Sequence, residues 1–210
     1  MEQTTHRFEI EIKREPKVLE YSFQYYPWLK ELVKNYQEDS TAFHDYKIIF
    51  NNGKDGLVEI QITHYGESER AGFRRYGDVR LDLISSFNLT DKCCKSYKLS
   101  DKRWKTLKNK DELKQFTSIC PVKKWGKLVT CDAHYFYFAV LDKKDHCHLF
   151  NIYDNQKLKS QVNYFVNTYG VKINHKIGEP WGSAFVPVSE DDKVLRNCLI
   201  TTKEGFLKIL

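Results

Sequence analysis

Apolar and polar positions follow two distinct rhythms along this chain. Between Val18 and Tyr36 the residues Val18, Tyr21, Tyr25, Trp28, Leu29, Leu32, Val33 and Tyr36 recur every three or four positions. That is the spacing of one helix face, and it predicts a helix that Pro27 can split. His44 to Phe50 and Leu57 to Thr63 predict strands. Between them, Asn51 to Gly56 carries an Asn-Gly and an Asp-Gly turn signal, so the two read as a hairpin. From Gly77 to Ile84 alternation is strict, with Val79, Leu81 and Leu83 on one face and Asp78, Arg80 and Asp82 on the other. Asp132 to Leu141 is almost unbroken apolar and aromatic, as a strand buried on both faces would be, and His146 to Tyr153 returns beside it. Asn155 to Tyr169 has Leu158, Val162, Phe165 and Val166 at helical spacing, with Gly170 as its stop. The stretch from Thr90 to Lys127 predicts irregular chain with a short helix near Lys110 to Phe116. Trp181 to Leu210 predicts short elements with Pro187 between them. This succession predicts one α/β (α+β) domain over residues 1–210, a mixed central sheet flanked by helices, with a Lys-rich insertion at about 90–127.

Size and composition narrow the class. The chain has 210 residues, 41% hydrophobic and 14% aromatic, enough for a buried core and too many for disorder throughout. The longest apolar run, Tyr135 to Leu141, falls far short of the roughly 18 residues a membrane span needs. The opening residues Met1 to Arg7 lack the apolar core of a signal peptide, so the expectation is a cytoplasmic protein with no membrane partner. The cysteines at 93, 94, 120, 131, 147 and 198 show no zinc-knuckle spacing and are expected as free thiols. His146 and His148 fall on one strand face and His134 elsewhere, but no second pair completes a metal site.

Charge changes the picture more. The net charge is +6, yet Thr90 to Lys127 holds twelve Lys or Arg against four acids. That segment is therefore +8, and the rest of the chain is −2. One basic segment on a near-neutral body is the footprint of a polyanion-binding surface. Tyr97, Trp104 and Trp125 are interleaved with the lysines and have flat faces that stack on bases. The candidate nucleic-acid-binding residues are Lys92, Lys95, Lys98, Lys102, Arg103, Trp104, Lys105 and Lys108. The plain alternative is a lysine-rich surface that only keeps the protein in solution.

The candidate chemistry lies in acids on neighbouring strands. Asp45 opens the first strand of the hairpin, and the period of two puts Glu59 and Gln61 on one face of the second. A converging aspartate and glutamate offer the hard oxygen ligands that Mg²⁺ or Mn²⁺ prefers. The ordinary alternative is a wet strand face, with Val58, Ile60 and Ile62 turned to the core. Asp78 and Asp82, either side of Arg80, form a second acidic set if the next strand over brings them near Glu59. Otherwise they are a surface ion-pair network worth little energy. No Gly-x-Ser-x-Gly, Cys-x-x-Cys, Walker or dinucleotide-binding motif occurs.

Taken in order, the helix, Asp45, the turn, Glu59-Ile-Gln61, Tyr76 to Asp82, Trp125 to Val129 and Asp132 to Phe138 resemble the PD-(D/E)XK nuclease superfamily. The likeness is greatest to its small phage and mobile-element proteins and covers roughly Leu29 to Tyr169. It implies a restriction-endonuclease-like sheet and Mg²⁺-dependent cleavage of DNA, leaving 3′-hydroxyl and 5′-phosphate ends. It makes Asp45 and Glu59 the metal-binding acids, catalytic together with Gln61, and the Ile60 carbonyl a further ligand. Gln61 stands where the family has lysine, so it would orient water or a phosphate oxygen without supplying charge. Lys47 and Arg80 are candidate replacements for that cation, Asp78 a supporting acid, and Glu31 an auxiliary acid on the first helix. DNA is the implied partner, and a homodimer is left open as a way to cut both strands. The alternative is a catalytically inactive relative, a DNA-binding or protein-interaction module in phage–host conflict.

Overall fold

The computed structural model describes residues 14, 16–24, 26–27, 29–34, 46–50, 53, 55–64, 78–99, 104–141, 144, 146–175 and 179–202. In chain order these form α1 (16–24), β1 (Leu29–Lys34), β2 (Tyr46–Phe50), β3 (Asp55–His64) and β4 (Asp78–Asn88). Then come α2 (Asp91–Tyr97), β5 (Trp104–Leu107), α3 (Lys110–Ile119), β6 (Val122–Trp125) and α4 (Lys127–Thr130). The remainder is β7 (Tyr135–Leu141), β8 (Cys147–Asp154), α5 (Asn155–Ser160), α6 (Val162–Tyr169), β9 (Val171–His175), β10 (Trp181–Ser189) and α7 (Lys193–Arg196). The fold is mixed α/β, in two compact units. The first comprises Met1–Tyr76, Asp132–Asn155 and Cys198–Leu210; the second comprises Gly77–Cys131 and Gln156–Asn197. Each holds one five-stranded sheet, β1-β2-β3-β7-β8 in the first and β5-β9-β10-β4-β6 in the second.

In the first unit the expected hairpin is present: β2 and β3 pair antiparallel from Tyr46↔Val58 to Ile49↔Asp55. β3 then runs parallel to β7, from Val58↔Tyr135 onward, and β8 returns antiparallel to β7. A parallel pair needs a long crossover, and here the chain between β3 and β7 supplies β4 to α4 of the second unit. Val58, Ile60, Tyr135, Tyr137 and Ile152 gather with Val18 into one buried cluster. The Ser22 hydroxyl donates to the Tyr137 phenol oxygen at 3.2 Å, fastening α1 to the sheet.

The helix expected from Val18 to Tyr36 ends at residue 24, and Leu29–Lys34 is a strand. The Tyr26 N–H still bonds to the Ser22 carbonyl at 2.9 Å, and the Leu29 N–H turns back onto the Tyr26 carbonyl at 3.0 Å. Between them, Pro27 lacks an N–H and disfavours helical backbone at the residue before it. Beyond the proline, pairing with β2 through Leu32↔Ile48 and Val33↔Lys47 decides the conformation. Glu31 is therefore exposed on a strand opposite Ile49, not an acid on the first helix.

In the second unit Val79, Leu81 and Leu83 of β4 are buried, as their alternation predicts. In the Lys-rich stretch the short helix expected near Lys110 to Phe116 is α3, and the described residues expected as irregular chain instead supply α2, β5, β6 and α4. Sparse anchors suffice to order it. Phe116 of α3 is fully buried and meets Phe87 and Tyr97 edge-on, each at 5.0 Å between ring centroids. A disulfide joins Cys93 of α2 to Cys120 at the end of α3, with Cα atoms 5.3 Å apart, correcting the expectation of free thiols for that pair. β10 is a single strand through Pro187, in place of the expected short pieces. Pro187 lies opposite Arg80 but past the last β9 partner, Phe185↔Lys172, so among the described residues a strand runs beside it on one side. A proline is tolerated where no second ladder needs its N–H. The helix from Asn155 breaks at Gln161 into α5 and α6 and stops at Gly170, whose φ of 71° suits glycine.

Asp192 ties α6 and α7 of the second unit together. One carboxylate oxygen caps α7 by accepting the Val194 and Leu195 N–H groups at 2.8 and 2.9 Å. The other accepts the Tyr164 and Tyr169 hydroxyls at 3.1 and 2.7 Å. Burial alone would raise the carboxyl, but the Leu195 N–H, the two phenols and the Val194 N–H outweigh it and hold it below the usual value of 3.8. A depressed folded-state value means that Asp192 contributes stability above pH 3.8 and loses it as pH falls further. Asp192→Ala should therefore cost about 1 kcal/mol or more at neutral pH, as helix caps do. The deficit against wild type in urea melts should shrink below pH 3.8.

Candidate functional site

The acids of the first sheet come first. Glu59 lies beside Phe136 and Gln61 beside Phe138, on the side of β3 opposite the core residues Val58 and Ile60. Only 1% of Glu59 is exposed, and Phe136 and Phe138 are buried with it, while Gln61 is half-buried. The wet face that alternation allows does not exist at Glu59. Burying a carboxylate is expensive unless hydrogen bonds or opposite charge compensate it. Lys47 shares this side, opposite Leu57, but its ammonium pairs with Asp55. It sits four residues along β3 from Gln61, roughly 13 Å at strand spacing, and does not replace the family's lysine there. Asp45 lies outside the described residues.

His134, a candidate ligand with His146 and His148, extends the strand pairing instead. Its Nδ1 accepts the Leu57 N–H at 2.9 Å, and its own N–H donates to the Leu57 carbonyl at 2.8 Å. Among the described residues no group of three or more His, Cys, Asp or Glu side chains is placed to hold a metal ion.

The second acidic set is in the other sheet. Asp78, Arg80 and Asp82 lie on β4, whose neighbours are β10 and β6, whereas β3 is flanked by β2 and β7. The strand adjacency that would have set them beside Glu59 does not occur. The Arg80 guanidinium lies over the Phe185 ring at 5.1 Å, a cation–π contact, and so does not serve as the missing lysine on β3. Asp82 accepts the Ser85 hydroxyl at 2.8 Å. Burial raises its carboxyl, and the Ser85 bond together with Lys127 and Lys124 offsets part of that rise.

The described lysines of the basic segment are exposed to water. Lys92, Lys95, Lys98, Lys105, Lys108, Lys110, Lys114, Lys123 and Lys124 are all exposed. Among the described residues none of these nine forms a salt bridge. Lys102 and Arg103 lie outside the described residues, and Trp104 opens β5 opposite Asn174. Tyr97 is lost as a stacking residue, because its ring packs on Phe116 and its hydroxyl is buried; that burial raises the phenol, with Glu112 adding to it. Trp125 keeps 42% of its surface exposed. The first turn of α3 offers no anion site, since the Asn109 side chain accepts from Asp111 and Glu112, and the Asn167 side chain from Lys110.

No described helix is long and apolar enough to cross a membrane. In comparisons with known proteins, no family model, no curated protein and no solved structure matches this chain.

Proposed function

We propose that this protein binds nucleic acid through the lysine-bearing elements of its second unit. The observation that carries this reading is the set of nine exposed lysines outside any salt bridge of the described residues. Lysines on the edge strands β5 and β6 also guard against unwanted strand pairing. Lys92, Lys95, Lys110 and Lys114, however, stand on helices, where no edge needs guarding. Affinity for DNA should fall by about 0.9 log units per log unit of salt for each phosphate the protein neutralises. Replacing Lys92, Lys95, Lys105 and Lys108 with alanine should weaken binding to unrelated sequences alike. It should also flatten the salt slope by about one unit for every lysine that had met a phosphate. Binding that ignores salt, or none at low salt, would end the proposal.

A second reading, a Mg²⁺- or Mn²⁺-dependent endonuclease with a restriction-endonuclease-like sheet, is favoured by the burial of Glu59 at the centre of its sheet. A buried carboxylate calls for hydrogen bonds or a cation. In this reading Asp45 and Glu59 hold the ion, and Gln61 orients the attacking water or a phosphate oxygen. Bound there, the ion would polarise the phosphodiester and lower the pKa of that water. The test is cleavage of plasmid, linear, single-stranded and branched DNA with Mg²⁺ and then Mn²⁺. Asp45→Ala and Glu59→Ala should each bring cutting to background. A wild type that binds without cutting is the inactive module, and cutting created by Gln61→Lys alone would locate the loss at that residue.

A further inference from the structure

We propose that the corner where β6 turns into α4 is a base-stacking subsite for single-stranded nucleic acid, with Trp125 as the platform and Lys123, Lys124 and Lys127 as phosphate contacts. This rests on the nucleic-acid reading above and adds the form of the ligand. Among the described residues β6 is an edge strand, paired with β4 and with no strand on its outer side. Three of its four residues, Lys123, Lys124 and Trp125, are exposed, and Lys127 follows them, also exposed.

The tryptophan sets this corner apart from ordinary edge protection. Lysines alone keep an edge from pairing with other chains, and an exposed indole works against that purpose. An indole with 42% of its surface in water does have a use where bases stack on aromatic faces and ammonium groups track the backbone.

The platform is held on fixed backbone. The Gly126 N–H bonds to the Leu83 carbonyl at 2.8 Å, and the Val129 and Thr130 N–H groups both return to the Gly126 carbonyl, at 2.9 and 3.1 Å. A side chain at 126 would put its Cβ 2.7 Å from the Leu83 carbonyl carbon and closer still to Asp82, so the next residue after the indole must be glycine. Asp82 is the acid that feels Lys124 and Lys127.

Single strands are favoured over duplex because stacking on a side chain needs an unpaired base, whereas lysine–phosphate contacts serve both forms. The experiment compares a short mixed-sequence oligonucleotide with its duplex by fluorescence anisotropy at low salt. The variants are Trp125→Ala, Trp125→Phe and the triple Lys123→Ala, Lys124→Ala, Lys127→Ala, each checked for an unchanged circular-dichroism spectrum. Trp125→Ala should weaken the single strand about ten-fold and leave the duplex unchanged, while Trp125→Phe retains most of the affinity. The triple lysine change should weaken both forms. If Trp125→Ala leaves the single-strand to duplex ratio at its wild-type value, the subsite is overturned and the broader reading stands. If the wild type binds neither form, both fall. Displacement of the oligonucleotide by polyglutamate of matched charge as readily as by unlabelled oligonucleotide would make the corner a surface for acidic polypeptides and overturn the subsite as well.

Discussion

Phe116→Ala should destabilise the second unit by about 3–5 kcal/mol, the range for emptying a buried phenyl site. The ring is fully buried on α3 and meets Phe87 of β4 and Tyr97 of α2 edge-on. Removing it takes away the side chain that joins both partners. Urea unfolding followed by far-ultraviolet circular dichroism measures the cost, with a second transition allowed for if the two units melt apart. A loss below about 1 kcal/mol would mean that α3 is loosely held and that the Lys-rich stretch behaves as the irregular chain its composition suggests. Under the proposed nucleic-acid reading, affinity should fall with the stability, because Lys92, Lys95, Lys110 and Lys114 stand on the two helices this ring holds.

Removing the disulfide should cost nearly as much. Cys93 and Cys120 are separated by 27 residues, and closing a loop of that size lowers the entropy of the unfolded chain by an amount equivalent to about 3–4 kcal/mol. Cys93→Ala with Cys120→Ala should lower stability by that amount, and a dithiol reductant should do the same to the wild type while leaving the double variant unmoved. If the reductant shifts both equally, the linkage contributes nothing and the stability lies in the aromatic packing beside it. The two effects should not add fully. Phe116 and Cys120 share the end of α3, so the triple variant should be less destabilised than the sum of its parts.

Much of this fold is legible along the chain, and the candidate site is less so. The β2–β3 hairpin follows from its turn residues and alternation, β4 from Val79, Leu81 and Leu83, and β7 from an apolar run of the length and aromatic content that suit a strand covered on both faces. The basic surface is legible too, because charge counts need no coordinates. The site fails where local pattern meets distant pairing. Glu59 reads as the wet half of an alternating strand, yet it is buried on a strand flanked by β2 and by a β7 that lies far along the chain. Asp78 and Asp82 would join Glu59 only if their strand lay next to β3, and their strand belongs to the other sheet. Tyr97 reads as a stacking face, yet Phe116 covers it.

Short-range sterics and composition control strand alternation, turn chemistry, the helix stop at Gly170 and the +8 segment, and all four can be read off the residues in order. Packing across the chain settles the rest. It makes Leu29–Lys34 a strand, brings Cys93 to Cys120, orders the Lys-rich stretch, and puts β3 and β4 in different sheets. The physical reason is common to these. Apolar spacing says which side of an element wants cover, but the covering element is chosen by packing and hydrogen bonds between residues far apart in the chain. Leu32 and Val33 fit a helix face and a strand equally well until Ile48 and Lys47 come to lie beside them.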